Sequence, residues 1–171
     1  REMQRIGMLV DLAHVSDATM ADTLALGGPP VIVSHSNARA INGHARNVPD
    51  DLLRAIGAAG GIVMVNFYPP YVVEAARQHA AARDGEQARL KALHRGNPAA
   101  AEAALAVWDR ACPAPRGSVT DVADHIDHIA RIAGVGAVGL GGDLDGVDST
   151  VAGLEDAAAY PALFTELARR G

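Results

Sequence analysis

Pro30-Val31-Ile32-Val33-Ser34-His35 is the stretch from which the fold of this chain can be read. A short β-branched apolar run, opened by proline and closed by a polar pair, fits a strand buried on both faces, as in parallel sheets. Three other runs share its character: Gly7-Met8-Leu9-Val10-Asp11-Leu12-Ala13-His14, Gly61-Ile62-Val63-Met64-Val65-Asn66-Phe67 and Ala137-Val138-Gly139-Leu140-Gly141-Gly142-Asp143. Helical patterns lie between and after them. Ser16 or Asp17 is placed to cap a helix from Asp17 to Leu26, with Met20 and Leu24 on one face and Gly27-Gly28 as its stop. Pro49-Asp50-Asp51 opens a helix carrying Leu52, Leu53 and Ile56. Val122, Ile126 and Ile129 recur at helical spacing before Gly134, and Pro161 leads Leu163, Phe164 and Leu167. Strands alternating with helices predict right-handed βαβ units and an α/β fold.

Residues 72–118 break the rhythm. They are alanine-rich, with helical patterns near Val72–Arg83, Glu86–Leu93 and Ala99–Ala111 separated by glycine and proline signals. They read as a helical insertion after the third strand, either a lid or oligomer contact or a solvated decoration outside the chemistry.

Composition narrows the function classes. The 171 residues are 49% hydrophobic and 20% charged, which is the soluble globular range. A net charge of −5 with no basic stripe speaks against nucleic-acid binding. The single cysteine, Cys112, excludes an internal disulfide framework and a cysteine-rich metal site. No apolar run is long enough for a transmembrane helix. The opening Arg1-Glu2-Met3-Gln4 has neither a start methionine nor a signal pattern, and the chain is expected to be a piece of a longer one.

The polar residues that close the strands carry the functional signal. His14, His35 and Asp143 each stand at the carboxyl end of an expected parallel strand, the end at which α/β barrels gather their active-site loops. One histidine in such a place is ordinarily structural. Three chemistry-bearing side chains at the same end of three strands favour a metal or acid–base site, imidazole and carboxylate being the donors that suit a zinc-type ion.

Five motifs, in order and at compatible spacing, resemble the membrane (renal) dipeptidase family of zinc metallopeptidases. Leu9-Val10-Asp11-Leu12-Ala13-His14-Val15-Ser16 and Val31-Ile32-Val33-Ser34-His35-Ser36 are similar to its two strands ending in zinc-binding histidines. Arg46-Asn47-Val48-Pro49-Asp50-Asp51 resembles the segment with its substrate-binding arginine. Val63-Met64-Val65-Asn66-Phe67-Tyr68 and Gly139-Leu140-Gly141-Gly142-Asp143-Leu144-Asp145-Gly146 resemble its last two barrel strands. Gly153-Leu154-Glu155-Asp156 and Tyr160-Pro161 also fit, so the likeness spans nearly everything but the insertion.

That resemblance implies a partial TIM-type (β/α)8 barrel of amidohydrolase type, residues 1–171 being the C-terminal half of one domain with its fifth to eighth strands and residues 72–118 a helical insertion. It implies two Zn2+ per complete active site. His14 and His35 would hold one ion together with a bridging glutamate, while the other ion would take a His-x-Asp pair. Neither that pair nor the glutamate is found in this chain. A hydroxide shared by the metals would attack a dipeptide's carbonyl, Asp143 acting as general acid/base, Arg46 binding the substrate carboxylate and Tyr71 lining the pocket. The isolated chain is expected to be inactive, to bind zinc poorly and to associate through its uncovered edges, which a zinc assay on the purified chain would check. Rival readings are another metal-dependent amidohydrolase, such as an amidase or deaminase, and a non-catalytic barrel binding protein. The family admits lipid-anchored and soluble members. The composition leans toward a soluble, cytoplasmic, bacterial-type protein, compatible with a homodimer at full length.

Other polar residues read as ordinary. Asp121, Asp124, His125 and His128 fall on one helix and are expected to be polar residues facing solvent on the outside of the barrel. His44 reads as a solvated loop histidine, and His79 and His94 as incidental to the insertion. Asp145 reads as a turn carboxylate that caps local backbone. Gly139, Gly141 and Gly142 are expected to let strands or ligands approach closely.

Overall fold

A computed structural model describes all residues, 1–171. The chain runs α1 (Glu2–Arg5), α2 (Asp17–Ala25), β1 (Ile32–Val33), α3 (Asp50–Ala58), β2 (Ile62–Val65), α4 (Pro69–Val72), α5 (Glu74–Leu93), α6 (Pro98–Ala111), α7 (Val119–Ala133), β3 (Val138–Leu140) and α8 (Tyr160–Arg170). The three strands form one parallel sheet in chain order, with Ile32 beside Ile62, Val63 beside Val138 and Val65 beside Leu140. The fold is therefore α/β with sequential parallel strands.

The expected first strand, residues 7–14, is reduced to a single parallel bridge between Asp11 and Ile32. Leu12 N donates to the Ile32 carbonyl at 2.8 Å, and Ile32 N donates to the Val10 carbonyl at 3.0 Å. This segment lies at the edge of the sheet with no neighbour on its outer side. Met8 and Leu9 are accordingly exposed.

Burial alternates along β2, with Val63 and Val65 fully enclosed and Ile62 and Met64 only half-buried. This corrects the expectation of strands enclosed on both faces. The enclosed face meets α3, α7 and α8 through Leu53, Ile56, Val122, Ile129 and Leu163. The other face is concave. Strands two apart in a flat sheet are separated by roughly 9.5 Å, yet a Cβ on Gly141, after β3, would fall 1.9 Å from the Ser34 carbonyl oxygen, after β1. The glycines after β3 do permit the close approach expected of them. Gly57 does the same between helices, since a Cβ there would lie 2.2 Å from the Ala133 oxygen and hold α3 away from α7.

Helix starts follow the sequence signals. Ser16 Oγ accepts from Thr19 N at the head of α2, and α7 adds a start that the sequence reading did not mark, a capping box closed by Ser118 and Asp121. The insertion differs from expectation at Gly85, where a break between two helices was predicted. α5 instead runs unbroken through it, because glycine costs only about 1 kcal/mol in a helix interior and the Arg83–Asp109 fork, with bonds of 2.7 and 2.9 Å, pins the same stretch to α6. His79 is not incidental. It packs on Trp108 and bonds the Cys112 carbonyl at 2.7 Å, tying α5 to the end of α6.

The surface reading of α7 is overturned at His125, which is completely buried. Its Nδ1 accepts from Ala38 N at 3.0 Å and its Nε2 meets the Val72 carbonyl at 2.9 Å. The proton therefore sits on Nε2, and a neutral ring satisfies two backbone groups from different loops. His128 is also mostly enclosed and bonds Asp50 at 2.8 Å, joining α7 to α3.

Burial pushes the His125 pKa below its ordinary value of 6.5, opposed by the bond to Val72. The neutral form is the folded form, so the stability it contributes is complete above pH 6.5 and declines as the pH falls below it. Denaturant unfolding of the complete protein should show this decline. His125→Phe should lower stability at pH 8 by about 1–3 kcal/mol for each backbone group left unpaired and should flatten the acid-side slope. An unchanged slope would show that another group governs it.

Candidate active site

The loops leaving the carboxyl ends of the parallel strands converge on one cavity of about 580 Å³, whose lining includes His14, His35, Arg46, Tyr68, Tyr71 and Asp143. All five residues singled out from the sequence thus meet in one place. His14 and Asp143 are the only non-glycine residues with positive φ, at 65° and 58°. Such backbone costs of order 1–3 kcal/mol per residue and persists where the surroundings over-determine it.

Asp11 shapes the histidine side of the cavity. Its Oδ1 accepts from Ala13 N at 2.9 Å and from Ser34 N at 3.1 Å, fastening the turn before His14 to the turn before His35. Desolvation raises the Asp11 pKa, but the hydrogen bonds from Ser34 and Ala13 outweigh it and hold the carboxyl below its usual range. The Nε2 atoms of His14 and His35 come within 2.8 Å, with ring centroids 4.8 Å apart. Ser34 Oγ engages His35 Nδ1 at 2.8 Å, which leaves Nε2 as the atom facing its partner. Burial, reinforced by Arg46 and His14 and opposed by Asp143, lowers the His35 pKa and favours the neutral ring.

Arg46 lines the same cavity. Its guanidinium carbon lies 5.6 Å from the Tyr71 ring centroid, within reach of a cation–π contact. Its one side-chain hydrogen bond is a long 3.4 Å contact from Nη2 to the His35 carbonyl. Its Nε is buried without a partner. Arg39, Arg83 and Arg116 do not line this cavity and are each paired, with Asp17, Asp109 and Glu155 respectively. His44 is partly buried rather than solvated. It packs on Tyr71 at 4.5 Å between centroids, and its Nδ1 accepts from Arg46 N at 3.0 Å.

Asp143 follows β3 across the cavity mouth. Asn66 Nδ2 approaches its Oδ2 at 3.4 Å, and Gly146 N donates to its carbonyl at 3.0 Å. Asp145 next to it points to solvent and caps nothing. A second cavity, about 410 Å³, lies between α5, α6 and the rim and shares Tyr68 and Asp148 with the first. No group of three or more His, Cys, Asp or Glu side chains in this chain is gathered as a metal site. The chain offers a converging imidazole pair, whose donor chemistry suits a zinc-type ion but does not by itself complete a tetrahedral set of ligands.

Sequence reasoning passed over the polar frame behind these residues. Ser36, Asn37, Asn42, Asn47 and Asn66 are all completely buried. For Ser36, Asn37 and Asn66 the sequence signal was present: short polar residues just after strand ends, where backbone leaves the sheet and needs partners.

The model of the membrane dipeptidase family, peptidase family M19, matches residues 1–171. The chain belongs to the membrane dipeptidase family. It is 37% identical over 173 residues to an uncharacterized dipeptidase of Schizosaccharomyces pombe, a match that covers 100% of this chain and 33% of that protein. This membrane dipeptidase family chain spans about a third of the length of the curated relatives it matches. Among solved structures it resembles the probable dipeptidase PvdM from Pseudomonas aeruginosa, with a TM-score of 0.79 at 24% identity over 99% of this chain and 46% of that one. It also resembles a metallo peptidase from Rhodobacter sphaeroides liganded with a phosphinate mimic of the dipeptide L-Ala-D-Ala, with a TM-score of 0.72 at 24% identity over 99% of this chain and 38% of that one. No helix is long and apolar enough to cross a membrane.

Proposed function

We propose that the protein to which this chain belongs hydrolyses dipeptides with zinc, and that residues 1–171 form the C-terminal half of its barrel, with residues 72–118 as a helical insertion. One observation carries the reading. An arginine without a carboxylate partner, its buried Nε unpaired, shares a cavity with a converging imidazole pair and a carboxylate. An unpartnered buried donor is costly, and a ligand carboxylate is the partner that would relieve it. The S. pombe relative, named a dipeptidase, and the R. sphaeroides metallo peptidase, solved with a dipeptide mimic, agree with that class.

His14 and His35 would hold a zinc ion through Nε2, with Ser34 fixing the orientation of the His35 ring. Two ions in the complete site fit the family resemblance. When bound, zinc supplies Lewis acidity, lowering the pKa of water and polarising a carbonyl. Arg46 receives the C-terminal carboxylate of the substrate through its planar fork, supported from behind by the Tyr71 ring. The clamp selects very short peptides, because a longer chain has no carboxylate at that distance from the scissile bond. Asp143 would accept a proton from the water that attacks the amide carbonyl and return it to the amine nitrogen as the C–N bond breaks. The Asn66 amide approaches its carboxylate and helps to orient it, and Gly146 leaves room for it. The isolated chain supplies only two donors to one ion and is inactive in this reading. An amidase or deaminase would have no use for Arg46.

The clamp is tested on the complete protein with a dipeptide and its C-terminal amide. Arg46→Ala should raise KM for the free dipeptide roughly 10- to 100-fold, the loss of a charge-assisted hydrogen bond, and leave the amide unaffected. Equal KM values for the variant and the parent would remove the clamp. Gly146→Ala tests Asp143 separately, since the added Cβ would stand 2.2 Å from Asp143 Oδ1. Gly146 lacks positive φ, so alanine strains no backbone there. Its kcat should fall on the order of 10²-fold, as expected for a reacting group displaced by about 1 Å. Retained kcat would argue against proton transfer by Asp143.

A further inference from the structure

Arg39 lies outside the cavity lining, yet its guanidinium is used almost completely. Nε donates to the Asn47 carbonyl at 2.8 Å, and Nη2 donates to the Ala45 carbonyl at 2.9 Å. Those carbonyls belong to the residues on either side of Arg46. The same group forks onto Asp17, with Nη2 2.8 Å from Oδ1 and Nη1 on Oδ2. Asp17 opens α2, three residues after His14. The backbone of Arg39 adds a third tie, its N–H donating to the Val48 carbonyl at 3.0 Å. Arg46 itself is held by the Ser36 hydroxyl on its carbonyl at 2.6 Å and by His44 on its N–H.

We propose that Arg39 is a positioning residue for Arg46: it grips the loop carbonyls on both sides of the substrate clamp and anchors them, through Asp17, to the segment that carries His14. A guanidinium suits this task because its fork is planar and its donors are fixed in direction. The pair with Asp17 is only half-enclosed, with side chains 26% and 48% exposed, so as a salt bridge alone it contributes little. Its value lies in direction. With Asp17 fixing one side of the guanidinium, the other side meets the two carbonyls without further ordering, and the distance from the clamp to the imidazole pair is set by the same network. A free dipeptide has to satisfy both ends at once, so the length of substrate the site accepts depends on this network.

The proposal rests on Arg46 binding the substrate carboxylate, and the experiment separates the two. KM and kcat are measured on the complete protein for a dipeptide and its C-terminal amide, in Arg39→Ala, Arg39→Lys, Asp17→Asn, Arg46→Ala and the Arg39→Ala/Arg46→Ala double variant. Arg39→Ala should raise KM for the free dipeptide roughly tenfold with kcat within about twofold, and leave the amide unchanged. Arg39→Lys should recover part of that loss. Asp17→Asn, a change at a half-exposed side chain that spares the core, should shift KM in the same direction by less. The double variant should match Arg46→Ala alone, because the two residues act as one unit. Should Arg46→Ala distinguish dipeptide from amide while Arg39→Ala and Asp17→Asn do not, or should the two losses add, the positioning role is wrong. Should Arg46→Ala make no such distinction, the clamp fails and the positioning role fails with it. If Arg39→Ala does not fold, Asp17→Asn decides alone.

Discussion

Asn37 and Asn66 hold each other across the top of the sheet, and the geometry of the site follows from that clasp. Asn66 N donates to Asn37 Oδ1 at 2.9 Å, and Asn37 Nδ2 returns a bond to the Asn66 carbonyl at 3.1 Å. Backbone that leaves a strand end loses its ladder partners and, if buried, must find others. Here the loops after β1 and β2 satisfy one another. Asn42 bonds the Pro70 carbonyl, Asn47 bonds the carbonyls of Asn42 and Tyr71, and His125 closes the joint from beneath by serving Ala38 and Val72. Arg46 and Tyr71 ride on opposite sides of this joint, so their contact is set by buried hydrogen bonds rather than by loose loops. Buried networks of this kind gain rigidity as their members are satisfied, and two buried side-chain atoms here have no partner: Asn47 Oδ1 within the network and Arg46 Nε beside it.

The two strained residues fit the same logic. His14 and Asp143 adopt left-handed backbone at the exits of the first and last parallel segments, each beside a local tie: Asp11 to Ala13 N for one, and Gly146 N to the Asp143 carbonyl for the other. The turn directs each side chain back over the sheet instead of onward into the loop. Concavity of the sheet brings them together, and that concavity depends on Gly141 tolerating the Ser34 carbonyl against its Cα hydrogen.

Much of the frame was legible because periodic apolar residues and caps act locally. Ser16, Pro49 and Gly134 mark helix ends in sequence and in space. His14, His35 and Asp143 were legible because each closes an expected strand, and parallel strands in chain order deliver their ends to one rim; Arg46 and Tyr71 were legible only through the family resemblance. The misses share a cause. His125 shares the helical face of Val122, Ile126 and Ile129, but the two loops from elsewhere that cover it and take its hydrogen bonds are long-range partners that leave no mark in α7. Gly85 reads as a break, since the fork between Arg83 and Asp109 is a long-range contact. Arg39 is one more polar residue in a loop until Asp17 and the carbonyls flanking Arg46 are seen around it.

The central claim is that the facing Nε2 atoms of His14 and His35 are a metal's ligands rather than a hydrogen-bonded pair. Crystals of the complete protein grown with zinc, measured on both sides of the zinc absorption edge, decide between them. The account predicts an anomalous peak about 2.0–2.1 Å from both Nε2 atoms, on the cavity side facing Arg46. A zinc peak bound elsewhere, with the two rings still bonded to each other, would contradict it.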